Sequence, residues 1–117
     1  MRPKDQLGLD GEAAASAHLE RQGMRIIDRR WRCRYGELDI VAREGRTTVF
    51  VEVKTRRGLA YGHPFESITP TKVRRLRDLV GLWMRAHEVR GPIRLDAVAI
   101  LAPRSGPWRI EHLRGIG

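Results

Sequence analysis

Residues 37–55 read ELDIVAREGRTTVFVEVKT, and the pattern of this stretch decides the fold. Leu38 to Arg43 and Thr48 to Thr55 are rich in Val, Ile, Leu and Phe and flank Glu44-Gly45-Arg46, which predicts two short strands joined by a tight turn. Two acidic frames are set into this apolar hairpin, Glu37-Leu38-Asp39 and Glu52-Val53-Lys54, with Asp39 and Glu52 thirteen residues apart. Side chains alternate faces along a strand. Glu37, Asp39 and Val41 are therefore expected on one face and Leu38, Ile40 and Ala42 on the other, while Phe50, Glu52 and Lys54 oppose Val49, Val51 and Val53. A loop of about four residues sets Asp39 across from Glu52 and Glu37 across from Lys54; a loop of Glu44-Gly45 alone sets Glu37 across from Glu52. Either register gathers the carboxylates on one face. Like charges opposed in a sheet are destabilising, so the arrangement asks for a cation between them. Of 23 basic residues 20 are Arg, and Lys stands only at Lys4, Lys54 and Lys72, which marks position 54 as one that wants a compact ammonium.

The flanking sequence supplies the rest of a small α/β unit. Asp10 to Gln22 reads as an Ala-rich helix ended by Gly23, followed by a strand around Arg25 to Arg30. Arg56 to Ile68, with Gly58, Gly62 and Pro64, reads as a long loop. Thr69-Pro70 opens a second helix, Thr as N-cap and Pro at the first helical position, running to about Val89 with an apolar stripe of Val73, Leu76, Val80 and Trp83 flanked by Leu79 and Leu82. Arg94 to Leu101 and Trp108 to Leu113 read as closing strands. The predicted order is α-β-β-β-α-β-β, a central mixed sheet flanked by helices. At 117 residues the chain is expected to form one domain, residues 1–117, with a modest two-layer core.

A hydrophobic fraction of 41% fits a folded protein, and a net charge of +9 points to a polyanionic partner, nucleic acid first and an anionic membrane surface second. No membrane anchor is expected: the longest apolar run, Ala97 to Ala102, is far below the roughly 18 residues of a spanning helix, and Met1 to Asp5 lack a signal peptide's apolar stretch. The single Cys33 cannot form an internal disulfide, so a reducing cytoplasm is the expected location.

Asp and Glu on adjacent strands offer hard oxygen ligands for Mg²⁺ or Mn²⁺, with room for water and a phosphate oxygen. Such a site hydrolyses phosphodiesters, with Lys54 orienting the nucleophile or stabilising the pentacovalent state. With these residues in hand, the sequence resembles the PD-(D/E)xK nuclease superfamily, restriction-endonuclease-like and Holliday-junction-resolvase-like, in which an Asp on one strand precedes an acidic-x-Lys frame on the next. More narrowly it is similar to the YraN family of small bacterial proteins with that fold. The matching residues are Gly11-Glu12, Gly23, Gly36-Glu37-Leu38-Asp39, Val49 to Arg56, Gly62, Lys72 and Arg94-Leu95-Asp96. The resemblance implies an α/β restriction-endonuclease-like fold and a catalytic core of Asp39, Glu52 and Lys54, with Asp39 and Glu52 as metal ligands. It adds Glu12, because related resolvase-type nucleases bring an acidic residue from the first helix to the metal. Where the superfamily signature carries Pro before the Asp, this chain has Leu38.

The expected function is metal-dependent endonucleolytic hydrolysis of structured or branched DNA. The alternative is a non-catalytic nucleic-acid-binding module that keeps the fold. A third reading is a basic adaptor for anionic membrane or ribosome surfaces. Arg56, Arg57, Lys72, Arg74 and Arg75 are the expected nucleic-acid contacts, the last three clustered where a bound phosphate would offset cations at a helix N-terminus. Arg29, Arg30, Arg32 and Arg34 around Trp31 offer cations with one stacking surface. Each residue also has a plainer reading: an ion-pair network for Asp39, Glu52 and Lys54, a partner for Lys54 or an Arg in Glu37, a carboxylate favoured by the helix dipole in Glu12, a buried partner for an Arg in Asp96, turn chemistry in His63-Pro64, and core packing for Trp83 and Cys33. The oligomeric state stays open, a homodimer included.

Overall fold

The structure, a computed structural model, describes residues 3–60 and 62–117, with side chains from residue 6 onward. Met1 and Arg2, the start of the segment expected to lack a leader's apolar run, lie outside the described residues. Helix α1 spans Pro3–Arg21, strand β1 Arg25–Cys33, β2 Gly36–Glu44 and β3 Thr47–Arg56; a 3₁₀ turn at Pro64–Ser67 precedes α2, Pro70–Ala86, and strands β4, Ile93–Leu101, and β5, Arg109–Arg114, complete the chain. The order α-β-β-β-α-β-β is the predicted one. Among the described residues no helix is long and apolar enough to cross a membrane.

The elements begin and end for local reasons. Helix α1 starts seven residues earlier than the expected Asp10, at Pro3, a residue suited to a first helical turn. It closes with paired bonds from Gly23 N to the Glu20 carbonyl (3.0 Å) and from Met24 N to the Leu19 carbonyl (3.1 Å), and the reversal needs the left-handed φ of 93° that Gly23 adopts. The Thr69 hydroxyl accepts the Lys72 amide at 3.2 Å, capping α2 as predicted. That helix stops at Ala86, short of the expected Val89, because Glu88 turns left-handed (φ 52°) and the Val89 amide returns to the Met84 carbonyl.

The sheet runs β1-β2-β3-β4-β5, with β3 and β4 parallel and every other pair antiparallel. Parallel neighbours cannot be joined by a hairpin, and α2 provides the crossover. It lies on one face and α1 on the other. Leu76, Leu79, Val80 and Trp83 of α2 cover Leu38, Val41, Phe50 and Leu95, whereas Ala15 and Leu19 of α1 cover Ile40, Ala42, Val49, Val51, Val98 and Ile100. The expected two-layer core is thus replaced by two thin cores, one on each side of the sheet, which is why β4 is buried continuously from Leu95 to Ile100. Helix on either face, over a mixed sheet, agrees with the predicted architecture.

The β2–β3 hairpin turns on Gly45 and Arg46, with Glu44 paired to Thr47 and Gly45 at φ 61°. The register is the one that sets Asp39 opposite Glu52, not Glu37 opposite Glu52. Ladder pairing ends at Ile40↔Val51, and one position further the Asp39 carboxylate replaces a backbone carbonyl by accepting the Val53 amide at 2.8 Å. On the other side of β2, pairs flank but skip Arg30 and Asp39, and Arg30 has a left-handed φ of 53°. This break corrects the expected faces: Leu38 joins Val41 under α2 instead of Ile40 and Ala42 under α1.

Candidate active site at the break in the sheet

Asp39 sits where β2 parts from β3 and skips a pair with β1, so its carboxyl group enters the gap between strands. Glu52 follows Phe50 on the α2 side of β3 and is 5% exposed. Burial, and then the neighbouring Glu52 charge, push Asp39 up to about 9, so the metal-free protein keeps its proton, which is donated to Glu52. Burial also pushes Glu52 up, but hydrogen bonds from Asp39 and Lys72, with the charges of Lys72 and Lys54, outweigh it and hold Glu52 below the usual carboxylate value.

The two lysines share Glu52 Oε2. Lys72 Nζ is 2.7 Å away and Lys54 Nζ 3.6 Å. Lys72, expected among the nucleic-acid contacts at the start of α2, is therefore turned inward on the acidic pair. The sequence carries a signal for it: Lys72 is one of three lysines among 23 cationic residues, in the first turn after a well-marked cap.

Glu12 comes in from the opposite face. Gly11 makes this approach possible, since a Cβ at that position would stand 1.9 Å from the Thr55 hydroxyl on β3. Glu12 is 9% exposed, and its Oε1 is buried with no hydrogen-bond partner, the nearest cation being Arg30 Nε at 3.8 Å. Burial raises its pKa against the pull of Arg30. Carboxylate oxygens of Glu12, Glu37 and Asp39 all lie within 4.8 Å of one another. Glu37 also holds Arg32, the plainer role expected of it, but with an Arg and not with Lys54. Three converging hard oxygen donors, from Glu12, Glu37 and Asp39, with an orphaned buried oxygen on Glu12, are of the kind that holds a divalent ion of the Mg²⁺ or Mn²⁺ type.

Beside Glu12 opens a cleft of about 520 Å³ lined by Lys54, Arg56 and Arg57 together with Val53, Thr55 and Gly58. Arg56 Nη1 also donates to the Thr55 carbonyl at 3.3 Å, and Arg57 Nη1 to the Ala102 carbonyl at 3.2 Å, contacts that steady both guanidinium groups at the rim. Arg74 and Arg75 are not brought to this cleft: Arg74 donates to the Thr71 hydroxyl, and Arg75 lies on the flank of α2.

A model of the family described as Uncharacterised protein family UPF0102 matches residues 11–100, from the glycine that seats Glu12 to Ile100 in β4. The chain belongs to the UPF0102, or YraN, family. UPF0102 proteins similar to it include those of Arthrobacter sp. (strain FB24), 55% identical over 118 residues and all of both chains, and Beutenbergia cavernae, 51% identical with the same coverage. A third, from Mycobacterium avium (strain 104), is 51% identical over 96% of this chain and 90% of its own.

The remaining candidates of this UPF0102 member take structural parts. Asp96 is fully buried, bonded to Arg94 Nε (2.8 Å) and Nη2 (2.9 Å), His112 Nε2 (2.8 Å) and the Gly115 amide (3.0 Å), which is the Arg partnership expected for it with a histidine added. His63 caps the 3₁₀ turn by accepting the Phe65 amide, the expected turn chemistry, and its Nε2 meets Glu111 at 3.2 Å. Trp83 is core, edge-on to Phe50, with its indole N–H donated to Asp28 at 2.8 Å. Cys33 and Trp31 are half-buried against the α2 core, so Trp31 is not the open stacking surface the sequence offers.

Proposed function

We propose that this protein is a divalent-metal-dependent endonuclease that hydrolyses phosphodiester bonds in structured or branched DNA. The observation that carries the reading is the meeting of Asp39 and Glu52 with Glu12 from one face and Lys72 from the other, at the mouth of an arginine-lined cleft. Asp39 and Glu52 would hold the ion, with Glu12 and Glu37 completing the oxygen set. The ion would supply Lewis acidity, making water a better nucleophile at neutral pH and offsetting charge on the phosphate.

The chain's own groups do the rest. Lys54, beside Glu52 and facing the cleft, stabilises charge that builds on the phosphate oxygens during displacement. Lys72 keeps Glu52 ionised and aimed. Arg56 and Arg57 hold the phosphate backbone against the rim, and the protein's net charge of +9 draws the polyanion in. A tightly packed Lys–carboxylate pair is also what a non-catalytic module keeping this fold would carry. One experiment separates the two: cleavage of linear, flapped and four-way DNA with Mg²⁺ or Mn²⁺. The nuclease reading requires strand scission that an Asp39→Ala, Glu52→Ala double variant loses while still binding DNA. Binding without scission on every substrate assigns the module.

A further inference from the structure

A second cleft, about 720 Å³, lies away from the acidic cluster, between α2 and the β1–β2 turn. Tyr35 stands at that turn, 67% exposed, with the Arg34 guanidinium carbon 5.2 Å from its ring centroid. The turn rests on α2 through Gly36, whose φ of 147° and proximity to Leu79, 3.3 Å from a would-be Cβ, set the tyrosine beside the helix flank. The floor is Gly81 and Leu82. The charged lining is Arg75, Arg77 and Arg85 against one acid, Asp78.

Arg75 and Arg85 are ten residues apart on α2, roughly 15 Å at 1.5 Å per residue, a span of about four stacked nucleotides. Cations at both ends with an apolar floor and an exposed aromatic ring between them match a strand whose bases show their faces. In a duplex those faces are covered by neighbouring pairs, so stacking on Tyr35 is open to unpaired bases only. An acidic protein segment would be drawn by the same charges but has no use for the ring and the floor together.

We propose that the cleft between Tyr35 and α2 binds a short single-stranded run of nucleic acid, the unpaired flank of a branched substrate. The proposal rests on the nucleic-acid reading above and adds to it a place and a preference. The test is fluorescence anisotropy in EDTA with an oligothymidylate and a duplex of equal length, on wild type, Tyr35→Ala, Tyr35→Phe and an Arg75→Ala, Arg85→Ala pair. Tyr35→Ala should weaken single-strand binding roughly 5- to 100-fold, the loss of about one stacked base, and leave duplex binding within about twofold. Tyr35→Phe should match wild type, and the arginine pair should flatten the single-strand salt slope by up to about 1.4. Unchanged single-strand affinity in Tyr35→Ala, or an equal loss on strand and duplex, overturns the proposal and leaves the nuclease reading standing. A wild type that binds neither overturns both. Tyr35-dependent binding of poly-glutamate as tight as that of the oligothymidylate replaces the strand with an acidic protein partner.

Discussion

Lys72 on α2 places its ammonium 2.7 Å from Oε2 of Glu52 on β3, closer than Lys54 two residues along the same strand, at 3.6 Å. The crossover helix therefore contributes to the acidic site as directly as the hairpin does. Lys72 gains a raised pKa from Glu52 in spite of its burial, so it stays charged throughout the working range.

The two lysines should separate in kinetics. Lys54→Ala is expected to lower kcat by about 10² or more with nucleic-acid affinity near wild type, and Lys54→Arg should also be poor, since a planar guanidinium does not replace a point charge. Lys72→Ala should lower kcat and weaken Mn²⁺ binding together, because Glu52 loses the partner that keeps it ionised. Single-turnover cleavage alongside calorimetry measures both. A Lys72→Ala variant with wild-type metal affinity would remove its positioning role.

Binding of a divalent ion should release a proton and strengthen as pH rises from about 6 to 9, because burial and Glu52 hold Asp39 protonated up to about 9 in the metal-free state. Calorimetry in two buffers of different ionisation enthalpy reads the proton directly. Asp39→Asn should bind no ion. In EDTA it should also outlast wild type increasingly as pH rises: an acid whose folded pKa lies above its unfolded value of 3.8 costs stability progressively above that value, and the asparagine has no such cost.

Gly11→Ala should destabilise the protein by about 1–3 kcal/mol, since the added methyl meets the Thr55 hydroxyl at 1.9 Å and must push α1 from the sheet. Metal affinity should fall with it as Glu12 withdraws. Adding Thr55→Gly removes the clashing atoms and should restore metal affinity more than stability, measured by calorimetry and by urea unfolding. Restoration of neither would mean that Gly11 acts within the helix and not through its seat on β3.

Asp96 has the opposite pH signature to Asp39. Burial raises its pKa, but the bonds from Arg94, the Gly115 amide and His112 outweigh that and hold it below 3.8. A depressed folded pKa contributes stability in full above 3.8 and loses it as pH falls through the folded value. Over the range from pH 7 to below 4, wild type should thus lose stability more steeply than Asp96→Asn, which should be less stable at pH 7 by about 1–3 kcal/mol, because Arg94 and His112 lose a buried charged acceptor while Arg94 keeps its pairing with Glu44. Urea unfolding at the two ends of that range checks both slopes.

Salt dependence tests the polyanion. Binding to duplex DNA should weaken steeply with salt, each neutralised phosphate adding roughly −0.9 to the slope of log K against log [salt]. Alanine at Lys72, Arg74 and Arg75 together should flatten the slope by no more than about 2, because Lys72 is turned onto Glu52 and only the two arginines face outward. A flat slope in the wild type would leave the second helix as ordinary solvated surface.

What the sequence determined by itself is whatever is encoded at short range. Thr69-Pro70 marked the start of α2, Gly23 the end of α1, and the Val-rich runs around Gly45 the hairpin, because caps, turns and strand alternation each depend on a few adjacent residues. Those local rules left two registers open, and the folded hairpin, closing on Gly45 and Arg46, took the one that opposes Asp39 to Glu52. Tertiary structure alone decided the other half of the site. Leu38 crossed to the α2 face because alternation assigns faces only while the ladder is continuous, and it breaks at Arg30 and Asp39. Lys72 reached Glu52 across twenty residues of crossover, and Glu12 reached Asp39 across twenty-seven, through helix–sheet contacts that no local pattern encodes. Trp31 is partly covered and Tyr35 left exposed for the same reason: which ring is covered depends on where α2 packs on the sheet.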